Sequence, residues 1–287
     1  VKRNAGDPVT QEITEIKLGF SPCPNDTFIL CAMVHGRITV PGVEFSPIIK
    51  DVEKLNSLVM QGIPHVSKIS FHTLGYILDS YVLLETGAAL GRGCGPLLIS
   101  KKPMDTKDIA RVVVPGIQTT ATLLLKIFFP HVDLVVMRYD QIMPALESGK
   151  EQAGVIIHES RFTYASHGLT CLSDLGELWE KETKLPIPLG GIVAKRSLGT
   201  DTITAIQEAI ALSLEYAQKH GEEVWPYVKE HALEMEDRVI KEHINLYVNR
   251  YTHGLGEEGK TAVNRLLELA REKEILPPSI HTPLLEE

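Results

Sequence analysis

Hydrophobic positions along this chain switch repeatedly between the two-residue alternation of strands and the three- and four-residue spacing of helices. Ile16, Leu18 and Phe20 alternate with Lys17 and Gly19, which predicts a strand, and Ser21-Pro22-Cys23-Pro24 ends it. Asn25 or Asp26 is then expected to cap a helix reaching about Val34, closed by His35-Gly36. Val43–Ile49 predicts the second strand, and Val52, Leu55, Leu58 and Val59 mark one face of the second helix. His65–Ser70 and Phe71–Leu78 predict the third strand and helix.

Gly87, Gly91, Gly93 and Gly95 then interrupt the pattern before an apolar run, Pro96–Ser100. A second series follows, with strands at Arg111–Val114, Leu134–Tyr139 and Gly154–His158 and helices at Thr120–Phe128 and Ile142–Ser148. Pro186, Pro188, Gly190 and Gly191 form another punctuated stretch before Ile192–Ala194. From Thr202 the pattern is helical, near 202–219, 221–230, 237–250 and 257–272, and the Pro-rich tail after Leu276 reads as extended.

This alternation predicts α/β architecture with mostly parallel sheets. Two series joined by two Gly-rich crossovers predict a bilobed chain. Residues 1–107 and 195–287 are expected to form a large discontinuous lobe with the C-terminal helices, and residues 108–194 a smaller inserted lobe. Two three-layer α/β lobes around a central cleft make a type II periplasmic-binding-protein-like fold. Strand C-termini and helix N-termini converge on that cleft, where a ligand is expected.

Composition narrows the partners. The 287 residues, 44% hydrophobic and 23% charged, fit about two globular domains and exclude a disordered or collagen-like chain. A net charge of −8 leaves no basic field for nucleic acid or anionic lipid, although a single cleft can still be cationic. Cys23, Cys31, Cys94 and Cys171 form no C-x-x-C pair, which excludes a zinc ribbon or thioredoxin-type motif and suits buried thiols in a reducing cytoplasm. Val1–Glu15 is polar and lacks the apolar stretch of a secretory signal, and no run of about 18 apolar residues occurs to span a membrane. A cytoplasmic protein is expected.

Four segments carry candidate chemistry. Pro22 and Pro24 stiffen the turn that holds Ser21 and Asn25, either as a plain capped turn or as a ligand contact. In Lys68-Ile69-Ser70, alternation puts Lys68 and Ser70 on one side, where the lysine suits a ligand carboxylate or else meets solvent at an edge. In Pro115–Ala121, Thr119 is an N-cap and the amides of Thr120 and Ala121 are donors suited to an anion. His158 ends an apolar strand with an imidazole that titrates near neutrality, and alternation turns Glu159 away from it. Phe162 breaks H-E-x-x-H and no other histidine has ligand spacing, so no metal site is expected. Gly91-Arg92-Gly93-Cys94-Gly95 precedes an apolar strand, the wrong context for a dinucleotide loop.

Ser21–Phe28 (SPCPNDTF), Gly87–Gly93 (GAALGRG), Ile156–Tyr164 (IIHESRFTY) and Leu185–Ile192 (LPIPLGGI), in this order and spacing, resemble the 1,4-dihydroxy-6-naphthoate synthase family of the futalosine route to menaquinone. The resemblance spans Ile16 to about Pro278. It implies a lyase on the bilobed fold, converting cyclic dehypoxanthinyl futalosine to 1,4-dihydroxy-6-naphthoate with release of a small sugar-derived fragment. It implies no metal or organic cofactor. By position, His158 matches the proton acceptor, and Lys68, Ile69 and Ser70 with Thr119, Thr120 and Ala121 match substrate-binding segments. Ser21 and Asn25 extend that site. The expected partner is a small-molecule carboxylate, with no nucleic acid or membrane, for a monomer or homodimer. Two alternatives are a chorismate dehydratase of the same pathway and a non-catalytic small-anion solute-binding protein. The SPCPNDTF turn and the His-Glu strand end argue against the first, and the missing export signal against the second.

Overall fold

Ile16, Leu18 and Phe20 are fully buried in β1 (Thr14–Phe20), as their alternation requires, while Glu15 and Lys17 face out. The computed structural model describes residues 14–233 and 236–285, so the polar stretch before Thr14 and the reading attached to it lie outside the described residues. The chain continues through α1 (Pro24–Val34), β2 (Val43–Ile49), α2 (Val52–Met60), β3 (Val66–Ser70), α3 (Phe71–Ile77), β4 (Tyr81–Leu83) and β5 (Ala89–Gly91). It then builds β6 (Leu97–Ser100), β7 (Arg111–Val114), α4 (Thr120–Phe128), β8 (Asp133–Val136), α5 (Tyr139–Glu147), β9 (Ala153–Ile156), the short α6 (Ser160–Thr163), β10 (Thr170–Asp174) and α7 (Leu175–Thr183). β11 (Ile187–Lys195) leads to α8 (Thr200–Lys219), α9 (Gly221–His231), α10 (Asp237–Tyr247), α11 (Arg250–His253) and α12 (Gly256–Glu272).

Two sheets result. The first runs β2-β1-β3-β11-β4, with β5 also on β11, and the second runs β10-β6-β9-β7-β8. The sheets are mixed, which corrects the expectation of mostly parallel ones. β1 is parallel to β2 and β3, but β11 is antiparallel to β3, β4 and β5; in the second sheet β6 is antiparallel to β9 and β10. β6 and β11, the strands on which the chain arrives in each sheet from the other, are the ones that run against their neighbours. The boundary expected after residue 107 falls beyond β6, which pairs in the second sheet, and the one expected after 194 falls at the end of β11, which pairs in the first. The pattern does not announce β4, β5 and β10, because segments of three to five residues carry too little periodicity to read, nor the nine-residue α7, of which only Leu175, Gly176 and Trp179 are buried.

One apolar cluster is common to both sheets and to helices packed on them, including Ile69, Phe71, Leu123, Val155, Trp179 and Leu266. Where the chain enters the second sheet, a Cβ on Gly95 would lie 2.4 Å from the Cα of Gly176, so neither residue tolerates a side chain. Among the described residues no helix is long and apolar enough to cross a membrane.

Candidate active site

A cavity opens between the sheets, bordered by the ends of β1, β3 and β9, the first half of β11, the start of α4, and α10. Every residue singled out by sequence meets there: Ser21, Asn25, Lys68, Ile69, Ser70, Thr119, Thr120, Ala121 and His158 all line it. Their chemical availability differs.

The proline turn is built differently from the expected cap. Cys23 is the N-cap of α1, its side chain makes no capping bond, and Pro24 follows within the first turn, where its missing N–H is not needed. Asn25 and Asp26 therefore sit inside the first turn with side chains free to reach elsewhere. Asp26 Oδ2 accepts from the Ser21 hydroxyl at 2.7 Å and the Ser21 amide at 3.2 Å. Its Oδ1 accepts from Asn25 Nδ2 at 2.9 Å and pairs with Lys68 Nζ at 2.8 Å. Lys68 also donates to the Gly87 carbonyl at 3.0 Å. Lys68 is neither an edge residue in solvent nor an unpaired cation: it is 5% exposed, its charge is met by Asp26, and one N–H is left.

His158 lies two residues past the end of β9 with φ +59°, a left-handed conformation in which histidine is uncommon. The alternation used to orient Glu159 thus does not reach it; Glu159 is the N-cap of α6 and borders a different surface pocket. Nδ1 of His158 is 3.6 Å from the Cys23 sulfur, and the ring meets Tyr139 edge-on at 5.3 Å. Burial pushes the imidazole below its usual range, against the pull of Glu159, Asp26 and Asp51. Burial, with Glu159 and Asp26 adding, raises the Cys23 thiol well above its usual value, so it stays neutral.

At the start of α4 the Thr119 side chain accepts the Thr122 amide at 3.2 Å, the expected cap. The first-turn amides of Thr120 and Ala121 have no intrahelical partner. The Thr120 hydroxyl, by contrast, is committed: it accepts from the Phe71 amide and donates to the Leu189 carbonyl. Ser70 accepts from Asn56 Nδ2 at 3.2 Å and keeps its own proton for a ligand. The cavity therefore offers a hydroxyl and helix-start amides on one wall and an imidazole on another.

Sequence reasoning missed Asp26 as the centre of this network, and missed His243 and Tyr247 of α10, which line the same cavity. Asp26 carried a legible signal, standing beside Asn25 in the turn. His243 carried none, because a single histidine in an amphipathic helix reads as surface. Among the described residues no group of three or more His, Cys, Asp or Glu is arranged to hold a metal ion.

Comparison with known proteins adds the family. A family model described as menaquinone biosynthesis matches residues 16–272. The chain is 46% identical to the 1,4-dihydroxy-6-naphthoate synthase of Thermus thermophilus over 264 residues, 92% of this chain and 97% of that one. It is 42% identical to that of Streptomyces coelicolor, over 91% and 95% of the two chains. A crystal structure from Archaeoglobus fulgidus superposes with a TM-score of 0.87 at 32% identity, covering 91% and 98%. The alkanesulfonate-binding protein of Xanthomonas axonopodis pv. citri gives 0.70 at 11% identity over 94% and 97%, which shows the periplasmic-binding-protein-like fold alone.

Proposed function

The chain belongs to the menaquinone biosynthesis family, and from that premise we infer that its cleft forms 1,4-dihydroxy-6-naphthoate from cyclic dehypoxanthinyl futalosine. It acts as a lyase that releases a small sugar-derived fragment. The chorismate dehydratase and solute-binding alternatives are not favoured, since both curated relatives carry the synthase name.

The observation that carries the reading is the imidazole of His158 in the same cavity as an anion-ready helix start. In the tautomer whose Nδ1–H faces the Cys23 sulfur, Nε2 holds the lone pair and is the proton acceptor. The substrate carboxylate is held by the Thr120 and Ala121 amides and the Ser70 hydroxyl. Lys68 supports the turn through Asp26 and is a minor contact, as are Ser21 and Asn25, whose polar groups are already paired. Bond breaking is driven by aromatisation, so the protein supplies a placed base, an anchor and exclusion of water. The lobes are proposed to join near residues 92–96 and 184–186, because the strands on either side of each segment pair in different sheets.

Incubation with cyclic dehypoxanthinyl futalosine and, separately, with chorismate tests the reading. Naphthoate released from the first alone supports it. Turnover of chorismate, or binding without turnover, overturns it.

A further inference from the structure

His243 is 1% exposed and lines the cavity, yet its Nδ1 has no hydrogen-bond partner. A buried imidazole nitrogen left unpaired is an expensive group to retain, and such atoms point to a ligand or a strained function.

The surrounding bonds fix which nitrogen carries the proton. Lys68 can only donate, and Asp26 as a carboxylate can only accept. Asn25 therefore turns its Nδ2 to Asp26 Oδ1 at 2.9 Å and presents its own Oδ1 to His243 Nε2 at 2.9 Å. Facing an acceptor, Nε2 must bear the hydrogen. The groups around the ring oppose a second proton: burial first, then His158, whose ring stacks at 6.3 Å, and Lys68 hold the imidazole well below its usual range. Tyr247, 4.6 Å away on the same helix, is a neutral phenol raised by burial. A neutral ring with Nε2–H leaves a lone pair on Nδ1.

We infer that His243 is a binding residue of the cleft whose Nδ1 accepts a hydrogen bond from a hydroxyl on the sugar-derived ring of the substrate, its tautomer fixed by the Lys68–Asp26–Asn25 chain. Asp26 and Asn25 are then positioning residues, which explains why the polar side chains of the proline turn are paired with one another and with His243. The inference rests on the reading of the reaction given above for the identity of the hydroxyl partner.

The test has two arms. In histidine-labelled protein, nitrogen NMR at pH 7 is expected to show His243 neutral with Nε2 protonated; a charged ring, or a proton on Nδ1, overturns the tautomer. In the second arm, His243→Leu is expected to lower kcat/KM about 10- to 100-fold, the effect of one buried partner left unpaired. It should leave unchanged the affinity for 2-naphthoate, a probe with a carboxylate and no hydroxyl. His243→Gln, which can still donate to Asn25 and accept from a hydroxyl, should recover most of the loss and keeps the test usable should the leucine variant unfold. A variant pair within a few-fold of the parent, or a parallel loss of 2-naphthoate binding, overturns the assignment. A parent protein that forms no naphthoate overturns the reaction and the hydroxyl partner with it, while the tautomer stands or falls on its own spectrum.

Discussion

The Thr120 hydroxyl donates to the Leu189 carbonyl oxygen across 2.6 Å while accepting the Phe71 amide at 2.9 Å. One side chain of α4 thereby ties the second sheet's helix to β11 and to the start of α3. The single proton of this hydroxyl is thereby used, which leaves the Thr120 and Ala121 amides, not the side chain, for a ligand. Thr120→Val, similar in volume, is expected to destabilise the protein by about 1–3 kcal/mol, because a buried amide and carbonyl both lose a partner. Thr120→Ser should retain most of the stability. Thermal unfolding of the three proteins decides it; a valine variant with the parent's Tm and a raised KM would instead give this hydroxyl a ligand role.

His158→Asn should lower kcat by about 10²- to 10⁴-fold with the affinity for naphthoate kept, as expected for removal of a general base whose neighbours hold the substrate. Burial depresses the imidazole, and a base must be unprotonated to act. The acid limb of kcat/KM is therefore expected below the ordinary imidazole value of about 6.5. A limb at pH 7 or above, absent from no variant, would leave His158 without this role.

Much of this architecture could be read from the chain, and the unread part has physical causes. β1, β2 and α4 were legible from the spacing of their apolar residues, and α1, which is buried nearly all round, from the proline turn before it and His35-Gly36 after it. Strand direction in β6 and β11 was not, since periodicity is the same whichever way a strand runs. In the site, His158 was placed in the cleft for an imperfect reason: it lies beyond the strand, in a left-handed turn. Lys68 was on the right element, but its partner Asp26 is 42 positions away (68 minus 26), and no local pattern encodes a pairing across such a distance. His243 comes from α10, a helix whose spacing announced only its apolar face.

Acid should weaken the fold through His72. This ring is 1% exposed and contacts the Thr119 carbonyl at 3.2 Å through Nδ1. Burial, assisted by Lys126, lowers its pKa to about 4. A base depressed in the folded state stays neutral there while the unfolded chain takes up a proton below about 6.5. Its contribution is thus complete above that value and is lost as pH falls toward 4, by about 3 kcal/mol at the limit. Unfolding by urea at pH 7, 5.5 and 4.5 should show a steeper decline in the parent than in His72→Gln. Equal slopes would assign the acid sensitivity elsewhere.

Glu53 of α2 supplies the last test, because it fastens one lobe to the other. Its Oε1 accepts from the Ile117 amide at 2.8 Å and the Gln118 amide at 3.3 Å, in the loop before α4. Gly116 admits this approach: a Cβ there would lie 2.3 Å from the Glu53 carboxyl carbon. Burial raises the carboxyl above its usual value despite these donors and Asn56. The folded state thus favours the protonated acid, so its contribution is full below the ordinary glutamate pKa of about 4.3 and diminishes as pH rises through the raised folded value. Glu53→Gln keeps an acceptor for the amides without a buried charge. It should match the parent in acid and exceed it in stability at pH 7. Glu53→Ala leaves both amides unpaired, at a loss of about 1–3 kcal/mol, and should let the lobes separate. Solution scattering of the ligand-free proteins is expected to give a larger radius of gyration for the alanine variant and an unchanged one for glutamine. Identical radii for all three, with glutamine less stable than the parent at pH 7, would show that the lobes are held by the shared apolar cluster and not by this carboxylate.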